Sequence, residues 1–200
     1  TTANDNTAVG YAALSENTTG QENVAVGTFS LDANTTGSFN TAIGRATLSE
    51  ATTASNNTAV GYHALISNTT GYDNVAIGAN ALDACTTGAF NTSIGKHAHG
   101  NLTTGNNNVA IGEVASREST TSSDNTVVGV GALRDNTTGG SNTAIGRAAA
   151  RDTSTGSNNT AVGLSALLSN TTGVSNTAIG VSAGQEIVGG SNNLLLGEDA

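Results

Sequence analysis

The sequence predicts an all-β chain wound as a parallel β-solenoid, or β-roll, of about twelve 17-residue coils. Three observations carry that prediction. An Asn heads each unit, at Asn6, Asn23, Asn40, Asn57, Asn74, Asn91, Asn108, Asn125, Asn142, Asn159, Asn176 and Asn193, and the spacing never slips. Counting that Asn as position zero, position three is Val, Ile or Leu in every unit, and position four is Gly from Gly10 to Gly197. The 200 residues include no Pro, Met or Trp, only three Tyr and three Phe, and 26 Gly.

Each element follows from these facts. A conventional core of this length holds more large side chains, and a disordered chain does not keep a strict apolar register, so a repeat architecture remains. Two helices with their turns need roughly 33 residues, which a 17-residue unit cannot supply. The unit suits one coil of two or three short strands and tight turns, each strand pairing with its equivalent in the coils above and below. Positions one and three share one side of a strand. Their β-branched residues suit a buried pleated face, so that side is expected to be the core, with the small residues of position two, mostly Ala, on the opposite face. The Gly at position four serves either a positive φ or a backbone approach too close for a Cβ. Position eight is Leu in seven units but His99, Ser116, Ala150 and Gly184 in others. Such drift is costly in a sealed interior, which places this position at a partly open edge or a less demanding contact. The Asn-Thr-Thr-Gly that follows has turn composition.

Coils stacked about 4.8 Å apart bring the head Asn residues into one file, where each amide can bond the next as in cross-β amide ladders. A one-residue insertion would turn apolar residues outward and break the file. Strict spacing is thus what stacked coils require, and the residues favour a scaffold role for these Asn over ligand binding.

A net charge of −9 repels nucleic acid and anionic lipid, leaving a neutral glycan or a protein as the expected outside partner. No stretch approaches the roughly 18 apolar residues of a membrane span, and no charged-then-apolar leader opens the chain, so no membrane insertion is expected. Residues 1–200 read as a single repeat array. "TTAND" at its start falls in register with "TTASN" at 52–56, and the array stops inside a unit at Ala200. Because a solenoid needs capping units, the expectation is a segment of a longer fibrous protein.

"NVAIG" at 74–78 and 108–112, with its "NTAIG" and "NTAVG" variants, resembles the head repeats of trimeric autotransporter adhesins. The whole unit, such as "NTAVGYHALISNTTGYD" at 57–73, is also similar to repeats of bacterial surface proteins and phage tail fibres that end in a self-cleaving, endosialidase-type chaperone domain. The resemblance implies a left-handed β-roll, three chains packed side by side, and an extracellular place on a cell surface or a virion fibre. The unit here is longer than that of the adhesin heads. A separate argument favours a homotrimer: with about two large aliphatic residues per coil, a lone roll buries little apolar area against the backbone entropy of ordering it, and scant cores need oligomerisation.

Within the array lies a three-unit period. Arg45, Lys96 and Arg147 recur at position five, and Phe39 and Phe90 precede Asn40 and Asn91. Duplication of a three-coil block accounts for it. No catalytic constellation recurs, so no enzyme, cofactor or metal is expected. The imidazoles are His63, His97 and His99, and Cys85 is alone. His97 and His99 stand two apart, as on one strand face. In a parallel trimer they could meet a metal on the axis, which resembles His-x-His sites of phage fibre tips, but the favoured reading is surface histidines. The "NTT" triplets match the glycosylation sequon, though a repeat manufactures such matches.

All six aromatics lie in the first ninety residues. Tyr11, Phe39, Tyr62, Tyr72 and Phe90 are the candidate recognition surface, since Tyr and Phe give flat apolar contact to sugars and proteins. The function expected is an extracellular structural and adhesive fibre segment. The alternative is an ice-binding solenoid presenting Thr ladders, suggested by pairs such as Thr18 and Thr19. Adjacent Thr on a strand would point to opposite faces, which disfavours it.

Overall fold

The computed structural model describes residues 2–200; Thr1, the first letter of "TTAND" and of the array, lies outside the described residues. Twelve three-residue strands follow one another: Thr7–Val9 (β1), Val24–Val26 (β2), Thr41–Ile43 (β3), Thr58–Val60 (β4), Val75–Ile77 (β5), Thr92–Ile94 (β6), Val109–Ile111 (β7), Thr126–Val128 (β8), Thr143–Ile145 (β9), Thr160–Val162 (β10), Thr177–Ile179 (β11) and Leu194–Leu196 (β12). They form one parallel sheet in sequence order. Each pairing joins residues one unit apart, from Thr7 opposite Val24 to Ile179 opposite Leu196. The chain is therefore the expected all-β parallel solenoid, and its coils are numbered one to twelve below by their head Asn. At about 4.8 Å per strand the rod is about 53 Å long.

Each coil holds one strand rather than two or three. The rest of the coil is turns, yet its N–H groups still bond neighbouring coils: Leu14 N donates to Ser30 O at 3.0 Å, Thr18 N to Thr35 O at 3.0 Å and Phe29 N to Tyr11 O at 2.9 Å. Left-handed residues prevent a pleat here. Positions six, eight and sixteen all take positive φ, as at Phe29 (58°), Leu31 (51°) and Phe39 (61°). Asn56, Asp73, Asn107, Asp124, Asn158 and Asn192 at position sixteen suit that conformation; Leu at position eight does not, and is held there by what it buries.

The core lies on the other side of the strand from the one expected. Ala25, Ala42, Ala59 and Ala76 at position two are fully buried, whereas the β-branched residues of positions one and three face outward, with Ile43 at 40 % exposure. The physical reason is the narrowness of the coil. Small residues at positions two and seven leave room for one large side chain, and Leu from position eight fills it. Leu31, Leu48, Leu65, Leu82, Leu133 and Leu167 are fully buried, so position eight is the centre of the interior, not an edge. In two of the four coils its drift is absorbed by position eleven, the other inward turn position, whereas coils seven and nine carry Ser119 and Thr153 there. Leu102 fills coil six, where position eight is His99. Ile187 fills coil eleven, where position eight is Gly184, and a Cβ built on that Gly would stand 3.4 Å from Ile187 Cδ1.

Both proposed reasons for the Gly at position four hold together. Gly61 has φ +139° and Gly95 φ +133°, and a Cβ on either would stand 2.5 Å from the carbonyl oxygen of the next coil's Gly.

Candidate functional site

Coil closure begins with the head Asn. The backbone N–H of each one from Asn23 to Asn193 donates to Oδ1 of the head Asn one coil earlier, at 2.9–3.1 Å in all eleven steps. Nδ2 reaches the same oxygen in most steps, as from Asn91 to Asn74 at 3.1 Å. A second bond was not foreseen: Nδ2 also donates to the carbonyl fourteen residues on, closing its own coil, as from Asn74 to Gly88 O at 2.8 Å and from Asn91 to Gly105 O at 2.9 Å. One amide thus ties two coils and shuts a third side, using its full donor set in a buried place where an unpaired group would be costly.

Position eleven carries Asn in five coils. Asn34, Asn68, Asn136 and Asn170 are buried and donate Nδ2 to the Gly carbonyl three residues on, at 2.9–3.2 Å. These are the Asn of the "NTT" triplets, and in the folded rod they close a turn rather than meet solvent. The Thr that follow lie in a bend, not a strand. The first of each pair sends its hydroxyl to the next coil's carbonyl, as from Thr35 to Thr52 O at 3.0 Å, and the second, from Thr19 to Thr172, is exposed in ten successive coils.

The broadest feature of the surface is the outward side of the sheet. Position three presents an unbroken file of Val and Ile that ends in Leu196, with Ile111 at 37 % and Ile179 at 44 % exposure, beside the Thr and Val of position one. Aromatics flank this face where the chain enters and leaves the strands. Tyr11 packs edge-on against Phe29 with centroids 5.4 Å apart, and Tyr72 against Phe90 at 5.2 Å. Tyr62 stacks on His63 at 3.7 Å, while the Arg45 guanidinium stands 5.6 Å from its ring centroid and donates to its hydroxyl at 3.3 Å. Phe39 is 54 % exposed and Phe90 52 %. The five candidate recognition residues therefore reach solvent, but in separate groups on two flanks rather than one patch.

His97 and His99 do not share a face. Both sit in the left-handed turn; His97 is half-buried, whereas His99 is fully buried in the place Leu takes elsewhere. The expectation of two surface histidines fails because the inward position is set by the turn and not by strand alternation. His99 Nδ1 lies 2.8 Å from Ser93 Oγ, a pair formed by the two residues that depart from Leu and Ala in that coil. Burial lowers the His99 pKa to about 3. In the next coil Ser116 and Ser119 pair at 2.7 Å. Among the described residues no group of three His, Cys, Asp or Glu is placed to hold a metal ion, and no helix is long and apolar enough to cross a membrane.

On the outside of coils seven to nine, Arg117, Arg134 and Arg151 pair with Glu118, Asp135 and Asp152, at 3.5, 2.7 and 2.6 Å. Stacking like charges one coil apart is unfavourable, and each lateral partner offsets it. No protein-family model, curated protein or solved structure matches this chain.

Proposed function

We propose that this chain is a stiff segment of an extracellular fibre, assembled side by side from three copies and bearing contact residues on its aromatic flanks. The observation that carries this reading is the outward strand face. An apolar stripe runs the full rod, contiguous apolar surface of this kind marks contact with another protein, and its repeat of one coil matches only a surface with the same repeat, which a second copy supplies. The interior explains the need: one Leu and two Ala per coil bury little apolar area. A place on a cell surface or virion, and the adhesin-like or tail-fibre-like role, rest on the sequence resemblance together with this face.

Sedimentation of the whole chain should give three times its mass. Ile77→Lys with Ile111→Lys, both on the outward face, should give monomers with unchanged β-structure; a parent that is already monomeric at micromolar concentration sinks the assembly. Recognition by Tyr11, Phe39, Tyr62, Tyr72 and Phe90 is tested by changing all five to Ser and measuring attachment to a glycan array and to cells. Unchanged attachment removes them from the role.

Ice binding stays as a second reading on one observation, the ten exposed Thr hydroxyls in file along the bend. Inhibition of ice recrystallisation by the parent and its loss in Thr70→Lys with Thr87→Lys would put it ahead of the fibre.

A further inference from the structure

We propose that coils six and seven form an acid-labile joint in the rod: protonation of His99 opens these two coils while the coils on either side stay folded. The apolar core is divided at this place. One cluster of buried side chains runs from Leu14 to Leu102, a second from Ala98 to Ala183, and between them the large central side chains give way to His99 and then Ser116. Each side keeps its own Leu-filled coils.

Within coil six the two unusual residues answer each other. Position two is Ser only here, position eight is His only here, and the two meet at 2.8 Å. That arrangement satisfies one ring nitrogen of a neutral imidazole. The other, Nε2, is buried with no partner. In the protonated ring both nitrogens are donors, and the Nε2–H faces an interior with no acceptor for it, which opposes the charged form.

The groups packed around the ring offer no counter-charge. Position eight below and above is Leu82 and Ser116, and position eleven is Cys85 below and Ser119 above. The Cys85 thiol, pushed up to about 11 by burial, stays neutral. Lys96, His97, Glu113, Arg117, Glu118 and Asp124 of the same three coils are at outward positions with part of their surface in solvent; Asp83 is half-buried, with one carboxylate oxygen enclosed and unpartnered, and the ring's one hydrogen bond is to Ser93. Asp83 acts with the opposite sign: burial raises its pKa, so its contribution improves as pH falls and cannot produce the opening.

The direction follows from linkage. The folded ring holds its pKa at about 3, below the ordinary value near 6.5 that it regains when the coil opens. Between those values the open state binds the extra proton, so opening becomes easier as pH falls, by up to tenfold per unit.

Hydrogen exchange of the whole chain, read coil by coil at pH 7.5 and pH 4.5 and corrected for intrinsic rates, tests the joint. Protection of residues 91–124 should fall about 100-fold relative to residues 40–73. Replacing the set by the residues of coil four, His99→Leu with Ser93→Ala and Leu102→Asn, should abolish the difference without loss of the fold, since Leu65, Ala59 and Asn68 occupy these places in a coil that is intact. A fall confined to coils six and seven in the parent and absent in the variant supports the joint. An equal fall in all coils, no fall, or a fall that persists in the variant overturns it.

Discussion

Coils four and six are built on one plan and differ in what fills it. In coil four the centre is Leu65, and Asn68 at position eleven closes its turn through Gly71 O at 3.0 Å. In coil six the polar and apolar roles have changed places: His99 stands at the centre and Leu102 at position eleven, both fully buried. The strand register, the head-Asn bonds and the left-handed turn are the same in both. The difference teaches that backbone and amide bonds fix the shape of a coil, while its side chains set only how firmly that coil is held.

The most direct way to break the comparison is to remove the centre of the regular coil. Leu65→Ala should cost about 2–5 kcal/mol of stability by chemical denaturation, because the neighbouring Leu48 and Leu82 cannot collapse onto the space without breaking register. Ser116→Ala at the equivalent place in coil seven should cost about 1 kcal/mol or less. Equal losses would mean that the two regions are held alike.

A smaller effect is expected from the element the two coils share. Asn91→Ala removes bonds to Asn74 and Gly105 and leaves Asn108 without its acceptor, for about 1–3 kcal/mol; Asn57→Ala should lose a similar amount. A variant that melts with the parent would take the head-Asn file out of the account of stability.

The smallest effect belongs to the surface. Tyr72→Ser loses an edge-to-face contact with Phe90 that is half in solvent, worth about 0.5–1.5 kcal/mol at most. A larger fall in melting temperature, together with a change in sedimenting mass, would show that Tyr72 supports assembly rather than its own coil.

Much of this was legible in the residues and some was not. The period, the parallel pairing and the need for Asn at each coil head follow from an uninterrupted 17-residue spacing, because stacking tolerates no slip. The assignment of inside and outside failed at positions one to three, where β-branched residues suited a buried face and turned out to line the outer one. Alternation alone is symmetric: Thr-Ala-Val has two sides, and nothing local says which is enclosed. Position eight misled for a related reason. Its drift to His and Gly is met by a second residue for the same space, Leu102 and Ile187, and its drift to Ser by a polar partner, Ser119, at 2.7 Å from Ser116.

By itself, then, the sequence determined the unit, its register and the buried file of amides, since these depend on spacing and on hydrogen-bonding groups that must recur in every coil. Only the tertiary structure decided which side of the strand is the interior, that Leu adopts a left-handed turn to reach it, and that His99 lies inside while His97 reaches the surface. Those choices depend on how much room a closed coil leaves at its centre, a quantity set by the path of all 17 residues together and by the coils above and below.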